Sequence, residues 1–186
     1  MTTPPARVLS VIVCGAGPAS EVRTLIKLAH ERDWAVQVIA TPAALDFIEV
    51  AAIEAQTGSP VRSQYRKPSE LRSRPADAII VAPATYNTIN KWAQGISDTY
   101  ALGILAEATG LAVPIVVLPF VNSALAARAP FRRGIKELRR EGVRILLGPD
   151  GVEPHEPHTG SNLVGSYPWH LALDEAERLI HATRAQ

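Results

Sequence analysis

Cysteine is nearly absent from this sequence. Its 186 residues include one, Cys14, so no internal disulfide can form. Neither charge sign is in excess: 19 Lys and Arg against 18 Asp and Glu leave a formal net charge of +1. Bulk electrostatics therefore draw the chain to neither nucleic acid nor a membrane surface. No apolar run approaches the ~18 residues of a transmembrane helix. The N-terminal "MTTPPAR" lacks the basic-then-apolar pattern of a signal peptide. Internal repeats and low-complexity tracts are missing as well, and no histidine lies between His30 and His155. Together these absences predict a cytoplasmic protein without a disulfide.

What is present suits one soluble domain over residues 1–186, with residues 1–6 expected as a disordered tail. Hydrophobic residues make up 47% and charged residues 20%, an ordinary balance for a chain that can bury a real core. Short β-branched runs alternate with helical periodicity. "VLSVIVC" (8–14), "AVQVIA" (35–40), "DAIIVA" (77–82), "PIVVLP" (114–119) and "VRILL" (143–147) read as strands. Helices are expected over 20–32, 43–55, 88–94, 99–108, 123–140 with a break near Pro130, and 169–184. Thr41 reads as an N-cap before Pro42, and Asp98 as the cap of the fourth helix. Residues 148–168, with four prolines, read as a loop or flap. This alternation predicts an α/β domain: a Rossmann-like (flavodoxin-like) three-layer α/β/α arrangement with a parallel sheet.

In such a fold the carboxyl ends of the strands carry the ligand. "CGAGPAS" (14–20) offers Gly15, Ala16, Gly17 and Ser20 in a spacing close to a dinucleotide fingerprint, and it serves equally well as a packing turn of small residues. The second strand ends in Ala40 and Thr41 rather than the acid that holds a ribose, which favours a phosphate or flavin edge over a dinucleotide. "PATYNTINKW" (83–92) crowds Thr85, Tyr86, Asn87 and Thr88 into one strand-to-helix turn. Any one of these suffices as a cap; the group has the capacity of a ligand edge.

"ADAIIVAPATYNTINKWAQGISDTYAL" resembles the flavin-containing cysteine decarboxylase family, which includes phosphopantothenoylcysteine decarboxylases and the decarboxylases of lantibiotic precursor peptides. Pro83, Ala84, Asn87, Thr88, Lys91, Gly95 and Asp98 fit its pattern, and Tyr86 stands in place of a small residue. "VIVCGAGPAS", "VIATPAALDFI" and "LPFVNSAL" look like the flanking motifs, so the resemblance spans about residues 6–153. It implies FMN, with the phosphate near Gly15, Ala16, Gly17 and Ser20 and the flavin near Thr41 and Ala84–Thr88. It also implies a small-molecule or peptide substrate held by Asn122, and a homotrimer or an assembly of trimers.

The resemblance further implies a catalytic His upstream of the third strand, where this chain has Ser69. The flap cysteine of the coenzyme A branch has no counterpart. Two functions follow as expectations: redox or decarboxylase-type chemistry on a thiol- or carboxylate-bearing substrate, or a non-catalytic FMN-binding or regulatory subunit. A flavin-prenylating enzyme or a nucleotide-binding Rossmann protein is a third reading, and Asn87 stands where the prenylating branch has Lys. Glu153, His155, Glu156 and His158 form an acid–histidine cluster in the flap. It reads as a proton relay, a weak metal site or a solvated loop, and its spacing matches no metal pattern.

Overall fold

The computed structural model describes residues 7–66, 69, 73–149 and 151–184. The expected tail, residues 1–6, lies outside them. Five strands form one parallel sheet: β1 (Arg7–Val13), β2 (Trp34–Ala40), β3 (Ala78–Ala84), β4 (Ile115–Pro119) and β5 (Arg144–Ile145). Their order is β2-β1-β3-β4-β5. This is the flavodoxin-like order, whose switch point lies between β1 and β3. Among the described residues the α-helices are α1 (Val22–His30), α2 (Val50–Thr57), α3 (Tyr86–Ala93), α4 (Tyr100–Gly110), α5 (Ser123–Ala126), α6 (Ala129–Arg140) and α7 (Trp169–Arg184).

The inner strands are buried along nearly their whole length because helices cover both faces of the sheet. Leu9, Val11 and Val13 of β1 pack with α1, α2 and α7, while Ile12 and Cys14 pack with α3, α4 and α6. Phe131 of α6 is a large, fully buried side chain of the second layer. Trp92 is buried there too, its indole N–H donating to the Thr109 hydroxyl at 3.2 Å. Arg132, Arg133, Lys136, Arg139 and Arg140 form the solvated face of α6.

Several expected boundaries move. The second helix does not run from 43 to 55: a 3-10 turn spans Pro42–Asp46, and α2 starts only at Val50. Thr41 begins that turn without a side-chain cap. Thr99, not Asp98, caps α4 by accepting from the Leu102 N–H, and Asp98 instead pairs with Lys91 at 2.5 Å. Thr85 caps α3, which therefore starts two residues earlier than expected.

Helix α7 is held by charge at both sheet edges. Arg32 reaches Asp174 at 2.6 Å and Glu177 at 2.9 Å, and Glu177 also accepts from the Trp34 indole at 3.1 Å. On the other side Glu175 pairs with Arg144 of β5 at 2.6 Å and with Arg178 at 2.7 Å. The hydrogen bonds from Arg178, with attraction from Arg144, hold the Glu175 carboxyl below the usual glutamate range against the opposing effect of burial. A lowered folded-state pKa stabilises the fold above the unfolded-state pKa, and that stabilisation disappears as pH falls through the folded-state value. Urea unfolding of Glu175→Gln should therefore show a stability deficit at neutral pH that closes below the ordinary glutamate range. A deficit independent of pH would refute the assignment.

Candidate functional site

Four loops leave the carboxyl ends of β1 to β4, and backbone hydrogen bonds tie each to the next strand. The Thr41 N–H donates to Val13 O at 2.9 Å, Cys14 N–H to Pro83 O at 3.2 Å, and Phe120 N–H to Ala84 O at 2.8 Å. The expected site residues from Gly15 to Asn122 therefore lie on one continuous rim.

The first loop is built for close approach. A Cβ on Gly15 would lie 2.8 Å from the Ala43 carbonyl oxygen, so only glycine lets the first and second loops touch without a shift. Among the described residues, no hydrogen bond uses the amide N–H of Gly15, Ala16 or Gly17. Three successive unbonded amides at a strand end suit an anion. Ser20 is exposed, and its hydroxyl donates to Gly17 O at 3.1 Å. Thr41 is buried at 8% exposure, yet its hydroxyl has no partner among the described residues.

The third loop departs from expectation. The Thr85 hydroxyl donates to the Thr88 hydroxyl at 3.0 Å and accepts from the Thr88 N–H. Both hydroxyls also reach the Cys14 thiol, and Thr88 is buried at 5% exposure. Thr88 is thus directed inward, near the buried Cys14 sulfur, while Thr85 is half-buried on the loop. Ala84 is fully buried, Tyr86 stacks on Phe131 with ring centroids 5.6 Å apart, and Asn87 alone of the group is exposed. Pairing of the Thr85 and Thr88 hydroxyls around Cys14 was not expected from the sequence. The available signal was two hydroxyls one helical turn apart beside a strand whose neighbour ends in Cys.

On the fourth loop, Asn122 caps α5: its Oδ1 accepts from the Leu125 N–H at 2.9 Å, leaving its NH2 available. The flap returns to this point. His155 N–H donates to Val121 O at 3.2 Å, and Ser123 N–H donates to His155 O at 2.7 Å. Farther along, a 3-10 turn over Gly160–Ser166 packs on the first loop, where a Cβ at Gly17 would meet Val164 at 3.0 Å. Ser69 lies exposed in a turn. No cluster of three potential metal-ligating side chains occurs among the described residues.

The sequence profile of the family described as Flavoprotein matches residues 3–163. The chain belongs to the flavoprotein family. A relative, the coenzyme A biosynthesis bifunctional protein CoaBC of Vibrio vulnificus (strain YJ016), is 30% identical over 148 residues, covering 76% of this chain and 36% of its own length. This flavoprotein thus spans about a third of that relative. Among solved structures, the FMN-dependent cysteine decarboxylase SpaF is 23% identical with a TM-score of 0.65, covering 93% of this chain and 98% of its own. A PPC decarboxylase mutant complexed with pantothenoylaminoethenethiol is 17% identical with a TM-score of 0.66, covering 87% and 96%. At these identities the likeness to the two structures is one of fold. No helix among the described residues is long and apolar enough to cross a membrane.

Cys14 is fully buried, and burial pushes its thiol pKa up, opposed by the hydrogen bonds with Thr88 and Thr85. A buried, protonated thiol is a poor nucleophile. The native protein should leave Ellman's reagent unreacted and release one equivalent of chromophore on unfolding; fast reaction of the native state would contradict this packing.

Proposed function

We propose that this flavoprotein binds FMN on the rim and carries out redox or decarboxylase-type chemistry on a thiol- or carboxylate-bearing small molecule or peptide. The observation that carries this reading is the run of unbonded amides at Gly15, Ala16 and Gly17 at the β1 strand end. It fits a phosphate with no side-chain charge required. Ser20 borders that cradle, and the unpartnered Thr41 hydroxyl supplies a donor and acceptor next to it. The flavin edge then lies along residues 84–88 through Tyr86, Asn87, backbone groups and what hydrogen-bonding capacity Thr85 and Thr88 keep beyond their mutual bonds. FMN supplies the two-electron chemistry when bound.

The chain's own groups orient the substrate. The free NH2 of Asn122 donates to a carboxylate or amide oxygen, and the flap shields the rim from water. Leu45 and Phe47, exposed just beyond Thr41, are apolar surface of the kind a neighbouring subunit covers, in keeping with a homotrimer or an assembly of trimers. A second reading, a non-catalytic FMN-binding or regulatory subunit, draws support from Ser69. It occupies the position where a catalytic His is expected, and a serine is no base near neutral pH.

The purified protein should be yellow, or take up added FMN, and a colourless protein that binds none would end the cofactor assignment. Ala16→Asp places a carboxylate among the phosphate-facing amides and should weaken FMN binding about tenfold or more. Anaerobic mixing with a cysteine-terminated peptide or phosphopantothenoylcysteine then separates the two readings. Carbon dioxide release supports the enzyme, and FMN binding without turnover of either supports the subunit.

A further inference from the structure

Histidine is absent from the third-strand side of the rim, but the flap brings one to the fourth strand. Backbone hydrogen bonds on both sides of His155 fix it beside Asn122. Its ring lies 4.8 Å from the Phe120 ring. Glycine is needed opposite: a Cβ at Gly160 would come within 3.0 Å of the imidazole Cε1 and 3.2 Å of Nε2. His155 Nδ1 lies 2.9 Å from the Glu156 carbonyl oxygen. A carbonyl only accepts, so Nδ1 carries the proton and Nε2 keeps its lone pair in the neutral ring. No hydrogen bond among the described residues uses Nε2.

His155 lines a cavity of about 180 Å³ with Phe120, Glu153, Leu163, Ser166 and Tyr167. Phe120 separates this cavity from the first loop, lying 3.8 Å from where a Cβ on Gly17 would be. The cavity therefore sits one ring's thickness from the amide cradle. Phe120 and Gly160, which pack on the ring, bring no charge. The ionisable groups around it are Glu153 and Glu156 of its own segment and Tyr167, whose phenol donates to Leu118 O at 2.5 Å.

We propose that His155 is the proton acceptor of this site, and that the cavity takes the thiol end of the substrate. The assignment rests on the function proposed above. Nε2 accepts the proton of R–SH, giving R–S⁻ and imidazolium. The S–H bond breaks, the sulfur keeps its electron pair, an N–H bond forms, and nothing is oxidised or reduced. The small volume between Phe120, Leu163 and Tyr167 admits only a small end group.

The test has two parts, one on the unmodified protein and one on a variant. Imidazole 15N NMR of the FMN-loaded protein should show His155 as the neutral Nδ1–H form. N-acetylcysteine should convert it to the doubly protonated ring, and N-acetylserine should leave it unchanged. An Nε2–H neutral form, or the same response to both ligands, overturns the proposal. In His155→Gln, FMN affinity should stay within about twofold, while anaerobic flavin bleaching by N-acetylcysteine slows about a hundredfold or more. Bleaching at the unmodified rate also overturns it. If the protein takes up no FMN, the cofactor reading fails by itself, and the imidazole spectra with the two ligands still decide His155.

Discussion

Three backbone hydrogen bonds at the carboxyl end of the sheet set the position of the candidate site in this protein. They join Thr41 to Val13, Cys14 to Pro83, and Phe120 to Ala84. Strand β1 lies between β2 and β3, paired with β2 from Arg7↔Trp34 to Val13↔Ala40 and with β3 from Leu9↔Ala78 to Ile12↔Val81. Slipping that register by one residue would exchange the side chains facing the two helical layers. The packing of Leu9, Val11 and Val13 in one layer and Ile12 in the other therefore fixes where Gly15 emerges and which loops meet it. The contact of Gly15 with the Ala43 carbonyl follows from that geometry, as does the alignment of four loops on one rim.

The third loop shows how a surplus of polar groups can be structural. Thr85, Thr88 and Cys14 form a small internal network at the switch point. A buried hydroxyl without a partner costs roughly 1–3 kcal/mol, so two threonines beside a buried thiol satisfy one another. What remains for a ligand is chiefly the exposed Asn87, the stacked Tyr86 and backbone groups. The first loop, by contrast, presents main-chain donors at Gly15, Ala16 and Gly17 that no hydrogen bond among the described residues uses.

The strands and the layer order were legible because each β run is short, apolar and bounded by Pro, Gly or a cap. The parallel sheet followed from the alternation with helices. The Thr41–Ala55 segment misled because Thr-Pro is a sound helix start by local chemistry, while the chain needs a 3-10 turn there to bring Ala43 against Gly15. The cap of α4 fell to Thr99 rather than Asp98 because Lys91 engages the carboxylate. In the site, the loops could be named from glycines and hydroxyls, but side-chain direction could not. Thr88 faces inward because helix α3 starts at Tyr86, and that start depends on the Thr85 cap. The path of the flap was beyond local reading: the pairing of His155 with Val121 and Ser123 joins segments over 30 residues apart, and a Pro- and Gly-rich stretch carries no periodicity to announce it.

These two kinds of legibility bear differently on function. A cradle of backbone amides needs only small residues and the right turn, so sequence can identify it and family membership speaks to it directly. Proton transfer needs one ionisable side chain at one point, and the chain position of that side chain is free so long as the fold delivers it. Ser69 lies in an exposed turn, and the flap carries His155 beside Asn122. The flap approaches from the opposite side, tied by main-chain hydrogen bonds to the segment that carries Asn122, and its histidine has a fixed tautomer and an open nitrogen. An account of this protein's chemistry has to begin with the groups that reach the rim in space, whichever segment of the chain supplies them.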